Sequence, residues 1–142
     1  MKIIHVVYTL IQHPETGHIL MVKNRRGDSF DYSLPGGGVE SSETLQQGAI
    51  REVEEETGYI IKPTGILAIN EKILPEKKEH LLFITFHGSI IGGKETLTRP
   101  DEILAIEWVE TSIASERMPY LPSVEALLRQ QLPAPYLYEG ER

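Results

Sequence analysis

Glu52, Glu55 and Glu56 stand at positions i, i+3 and i+4, a spacing that puts side chains on one side of an α-helix. At about 100° per residue they fall within an arc of roughly 100°. Carboxylates so close repel one another and weaken the helix unless something positive neutralises them. A hard divalent cation that takes oxygen ligands would do so. The stretch 37–59, GGVESSETLQQGAIREVEEETGY, therefore reads as a metal site. The competing reading is a solvated acidic face, the usual meaning of a charge run such as Glu54-Glu55-Glu56.

The elements around this stretch must hold it in place. Residues 3–11 are rich in Ile and Val and predict a strand. His13-Pro14-Glu15-Thr16-Gly17 predicts a turn into Ile19-Leu20-Met21-Val22, expected as the hairpin partner of the first strand. A loop at Gly27-Asp28 and an extended piece at Tyr32-Ser33-Leu34 lead to Pro35 and the glycines 36–38. Those glycines are expected to take positive φ, to turn the chain tightly into the helix and to let backbone approach a ligand. Ser41 or Ser42 is the expected N-cap, and Gly58 the left-handed residue that ends the helix. Leu45, Ala49, Ile50 and Val53 form an apolar arc beside the acidic one, so one flank buries against a sheet while the next faces a cleft. Gly48 costs about 1 kcal/mol of helix propensity, which a close contact would explain. Further strands are expected at 66–74, 81–91 and 103–109, and a second helix at Pro122–Gln131, before an extended tail from Pro133.

Composition narrows the class of function. A length of 142 residues suits a single domain, 1–142, of α+β type. The formal charge of −7 disfavours nucleic-acid polymers and anionic membranes as partners. It leaves room for a phosphorylated small molecule, because a bound cation reverses the sign of a site locally. With no cysteine, disulfides, thiolate catalysis and cysteine-ligated zinc are excluded. The five histidines include no pair at ligand spacing. The N-terminal MKIIHVVYTL reads as a strand and not as a signal peptide, and no apolar stretch reaches membrane-spanning length, so a cytoplasmic protein is expected.

On these residues the chain resembles the Nudix hydrolase family. Gly37, Glu43, Arg51, Glu52, Val53, Glu55, Glu56 and Gly58 match its signature in register, Leu34-Pro35-Gly36 extends the likeness, and Tyr59 stands where an aliphatic residue is usual. The resemblance implies a mixed β-sheet between helices, an α/β/α sandwich with a loop-helix-loop motif. It implies Glu52, Glu55 and Glu56 as ligands of Mg2+ or Mn2+, with Gly36 among the metal contacts. It implies a structural ion pair between Arg51 and Glu43, with Gly37, Gly38 and Gly58 supporting the site. The side chain of Arg51 is expected to point to a different azimuth from Glu52 and to fix a neighbouring acid. The implied reaction is hydrolysis of a nucleotide-type diphosphate by water attack on phosphorus, in a monomer or homodimer.

Outside the helix, Glu102 is the expected further acid, six residues before Trp108 at a loop-to-strand junction, with Asp101, Glu76 and Glu79 as rivals. Lys23 and Arg25 are candidate phosphate contacts, although for Lys23, Arg25 and Arg26 a solvated turn is at least as good a reading as a phosphate clamp. Phe30 and Tyr32 are candidates to stack on a base, whereas Trp108 reads as core. Pro75, sixteen residues beyond Tyr59, is placed as in ADP-ribose-cleaving members of the family. Two further functions compete with hydrolysis. A nucleotide sensor of the same fold would bind without turnover and is usually fused to a DNA-binding domain, for which this chain has no room. A diphosphate isomerase on a related fold expects a catalytic cysteine.

Overall fold

The computed structural model describes residues 1–130 and 132–141. Two runs of apolar residues set its frame. The first strand, β1 (Lys2–Ile11), ends in the fully buried Leu10 and Ile11. In the second, β2 (Ile19–Arg26), the residues Ile19, Leu20, Met21 and Val22 are all at 0% exposure. A strand buried on both faces needs a layer on each side of it. Ile19 and Met21 pack with Leu10, Leu34, Met118 and Leu127, while Leu20 packs with Ile11, Val53 and Ile61.

That demand overturns the expected β1–β2 hairpin. Only the isolated bridge Gln12↔Ile19 joins the two, and they lie in different sheets. One sheet has the order β4 (Gly36–Gly38), β1, β6 (Glu79–Gly93), β5 (Tyr59–Leu74). It is mixed, since β1 runs parallel to β6 and the remaining pairs are antiparallel. The other sheet is antiparallel, in the order β3 (Ser29–Ser33), β2, β7 (Ile103–Val109). The turn at 13–17, closed by His13 N–H to the His18 carbonyl and with Gly17 at φ 75°, carries the chain from one sheet to the other.

Helix α1 (Leu45–Thr57) lies against β5, β4 and β1 and buries Gly48, Ala49, Val53 and Thr57. Its N-cap is Thr44 and not Ser41 or Ser42. Thr44 has Gln47 three residues on, so a reciprocal capping box forms that neither serine's sequence offers. Gly58 ends the helix at φ 82°, as expected. Gly48 meets Val39, whose methyl would lie 3.2 Å from an added Cβ. The expected second helix is shorter, α3 (Val124–Leu128), and Gln131 lies outside the described residues. An unexpected seven-residue helix, α2 (Thr111–Arg117), precedes it and helps close the cluster between the sheets through Ala114. From the tail, Ala134 bridges Ile66 and the ring of Tyr136 packs edge-on against Phe86.

The glycines 36–38 correct a second expectation. They do not take positive φ. They form β4, and two of them are needed because of what approaches them. A Cβ on Gly36 would lie 2.0 Å from the Val7 carbonyl oxygen, and one on Gly37 would lie 2.7 Å from the Glu52 carboxylate carbon. Around Gly38 nothing lies within 4 Å. Gly36→Ala should therefore push β4 off β1 and cost about 3 kcal/mol. Gly38→Ala should cost less than about 1 kcal/mol, and urea unfolding of the two variants measures the contrast.

Candidate active site

The side chain of Arg51 organises the outer face of α1. Its Nε and Nη2 reach the two carboxylate oxygens of Glu43 at 2.5 and 2.9 Å, and Nη2 also donates to the Gly38 carbonyl at 3.0 Å. Glu43 in turn accepts from the Glu40 N–H, and its carboxyl is held below the usual range by Arg51. Contrary to the expected separation in azimuth, Arg51 also enters the acidic arc. Its Nη1 lies 3.0 Å from Glu52 Oε1 and 3.1 Å from Glu55 Oε2, because a long side chain bends across a helical turn.

The three carboxylates have different surroundings. Glu52 rests against Gly37, in space that a Cβ there would fill. Burial raises its carboxyl above the usual range, and the Arg51 hydrogen bond opposes the shift. Glu56 accepts the Gly36 N–H at 3.0 Å. Burial pushes it up to about 8, against that hydrogen bond and with help from the charge of Glu52. Glu55 Oε2 accepts a second guanidinium, Arg99 Nη2, at 3.0 Å.

Arg99 is the site residue that sequence reasoning missed. It lies on the β6–β7 connection, which is tied to the end of α1 by the Thr98 hydroxyl donating to the Glu55 carbonyl and by Thr96 N–H to the Thr57 carbonyl at 2.8 Å. Its Nη1 lies 3.2 Å from Glu102 Oε2. Glu102 is thereby brought beside the helix acids, and its charge adds to the rise at Glu56. The only sequence signal for Arg99 was a basic residue three positions before a candidate acid. Asp101 offers its carbonyl to Arg25 Nε at 2.9 Å. Glu76 and Glu79 lie at the β5–β6 turn with Pro75, remote from the site: Glu79 pairs with Lys2, whereas Gly36 pairs with Tyr8 at the other end of β1.

A cleft of about 490 Å³ opens beside these acids, lined by Tyr8, Arg26, Tyr32, Asn70, Phe83 and Tyr120 among others. Tyr8 joins the two regions, since a Cβ on Gly36 would come within 2.6 Å of its ring. Burial pushes the Tyr8 hydroxyl up to about 12. Tyr32 lines the cleft with the Arg117 guanidinium 3.5 Å from its ring centre. Lys23 and Arg25 do not line it: the ammonium of Lys23 sits 4.0 Å over the Phe30 ring, and Arg25 is turned to Asp101. The basic residue of β2 that does line the cleft is Arg26, paired with Asp31 at 2.8 Å.

The donor set suits a hard cation: three carboxylates of one helix, two of them raised by burial, gathered where a guanidinium nitrogen already bridges two. Among the described residues no three acidic or histidine side chains already converge as a ligand cage, because the carboxylates are drawn to arginines and to the Gly36 N–H. Cation binding would therefore require them to turn. Without a cation Glu56 makes stability depend on pH. Its carboxyl keeps a proton up to about pH 8 when folded, against an ordinary value of 4.5. Its contribution is thus full below about 4.5 and is lost as pH rises through about 8. In chelator, the thermal midpoint of the wild type should fall between pH 5 and pH 8 by more than that of Glu56→Gln, as calorimetry at a series of pH values would show.

Comparison with known proteins gives this geometry a family. A NUDIX hydrolase from Nitrosomonas europaea superposes with a TM-score of 0.76, covering 99% of this chain and 100% of that one. At 22% identity this is a likeness of fold. An ADP-ribose pyrophosphatase of Methanocaldococcus jannaschii is 33% identical over 98 residues, covering 61% of this chain and 57% of its own length. An NAD-capped RNA hydrolase of Stutzerimonas stutzeri is 31% identical over 111 residues, covering 78% of this chain and 37% of its own length. The chain thus spans little more than half of the first relative and about a third of the second. The family model of the NUDIX domain matches residues 4–129, and the chain belongs to that family.

Proposed function

We propose that this chain is a divalent-cation-dependent pyrophosphohydrolase that cleaves the diphosphate linkage of a nucleotide-type substrate by water attack on phosphorus. The observation that supports this reading is that Arg51 joins Glu52 and Glu55 while Glu56 accepts the N–H of Gly36, the residue that lies against Tyr8 in the wall of an aromatic cleft. Mg2+ or Mn2+ would be held by these three carboxylates and Gly36; when bound, such an ion offsets phosphoryl charge and makes a water more acidic.

The chain's own residues supply the remainder. Arg51, clamped on Glu43 and Gly38, keeps Glu52 and Glu55 in register. Glu55, Glu56 or Glu102 would accept a proton from the attacking water. Tyr8, Tyr32 and Phe83 give a nucleoside flat apolar walls, and Arg26 adds a positive charge at the same cleft. The relatives are named for different substrates, ADP-ribose and NAD-capped RNA. Their shared feature is the diphosphate, so the leaving or retained group is set by the cleft.

The test is a panel of nucleoside triphosphates, nucleotide sugars, ADP-ribose and dinucleoside polyphosphates, assayed with magnesium and with product identification. At least one should be cleaved to a monophosphate product. Glu55→Gln and Glu56→Gln should each lower that turnover by about 10²-fold or more while keeping the circular dichroism of the wild type. A wild type that binds members of the panel and cleaves none would replace the enzyme with a nucleotide sensor.

A further inference from the structure

The oxygen Oε2 of Glu55 is engaged twice, by Arg51 Nη1 at 3.1 Å and by Arg99 Nη2 at 3.0 Å. An oxygen between two guanidiniums is closed to a divalent cation, which would have to approach to about 2.1 Å against two like charges. One arginine must leave for Glu55 to become a ligand through this oxygen. Arg51 is anchored elsewhere, on both oxygens of Glu43, on the Gly38 carbonyl and on Glu52, and its side chain is 23% exposed. Among the described residues the Arg99 guanidinium has only Glu55 and Glu102, and its side chain is 42% exposed.

The loop beneath Arg99 does not depend on its guanidinium. Thr98 and Thr96 tie it to α1, and the Glu102 and Ile103 N–H groups donate to the Arg99 carbonyl at 3.0 and 2.8 Å. The side chain can therefore swing while its backbone stays in place. A guanidinium released at this point would remain beside the acid cluster, and its planar fork suits the oxygens that a cation-bound diphosphate would bring there.

Resting on the hydrolase reading above, we propose that Arg99 is an exchangeable counter-ion of the acid cluster. It leaves Glu55 when a divalent cation binds, and its guanidinium then grips a phosphoryl oxygen of the substrate. One ion pair is exchanged for another, and no covalent bond changes. Such a residue has opposite effects on the two ligands, because it competes with the cation and cooperates with the phosphate. A purely structural arginine would weaken both when removed.

Titration calorimetry on the wild type, R99Q and R99K separates these cases, first with Mn2+ alone and then with methylenediphosphonate, a nonhydrolysable diphosphate, in saturating Mn2+. R99Q should bind Mn2+ up to about fivefold more tightly, the effect of losing one exposed ion pair. It should bind methylenediphosphonate about tenfold more weakly. R99K, which keeps the charge, should bind Mn2+ as the wild type does. Unchanged or weaker Mn2+ binding by R99Q, unchanged binding of the diphosphonate, or an R99K that tightens Mn2+ as much as R99Q does would overturn the proposal. If the wild type binds Mn2+ and R99Q fails these expectations, only the role of Arg99 falls. If the wild type binds no Mn2+ with or without the diphosphonate, the hydrolase reading falls with it.

Discussion

The clamp of Arg51 on Glu43 is what allows a helix to carry three carboxylates on one short arc. Unneutralised, that arc would repel itself at every turn. One planar guanidinium reaches both oxygens of Glu43 and the Gly38 carbonyl, which fixes the loop before the helix, and still has Nη1 directed between Glu52 and Glu55. A lysine, a point charge on a flexible stem, has no such fork with which to hold loop and helix together. The clamp sets the distance between β4 and α1, and every other feature of the site is measured from there.

The close approach of β4 is the second half of the same constraint. Gly36 lies against the Val7 carbonyl and the Tyr8 ring, and Gly37 lies against the head of Glu52. The missing Cβ atoms bring backbone and carboxylates into one layer, so the Gly36 N–H can reach Glu56. They also bring the acids up to the wall of the cleft, because Tyr8 belongs to both. The acid cluster and the cleft meet at Gly36 and Tyr8 for a steric reason, and a residue with a side chain at position 36 would disturb that approach.

How much of this was legible in the sequence follows from how local each cause is. The acidic arc, the apolar arc and the left-handed Gly58 depend on helical spacing alone, and the structure has all three. The N-cap was misread because three hydroxyl residues compete within four positions, and only the reciprocal bond with Gln47 decides for Thr44. The β1–β2 hairpin was misread because a short turn between apolar runs looks the same whether the runs pair or cross between sheets. The burial of both faces of β2, which decides it, is a tertiary fact. The glycines were correctly singled out for the wrong reason: proximity and not positive φ requires them. Arg99 was illegible, since its partner Glu55 is 44 residues away in a different element. Tyr8 and Asn70 were illegible as cleft residues for the same reason.

The overall charge of −7 bears on the proposed reaction, because a diphosphate would approach an acidic protein as an anion. Arg51 and Glu43 cancel, Arg99 offsets Glu55, and Glu56 keeps its proton up to about pH 8, so the cation-free cluster is weakly negative near neutral pH. That charge would repel a diphosphate and attract a cation. A bound divalent ion would favour ionised Glu56; with all three carboxylates charged the cluster would then stand near −1, and the proposed release of Arg99 from Glu55 would bring it to neutrality beside an incoming phosphate. On the proposed reading, neutralisation of the site would therefore depend on the cation arriving before the substrate.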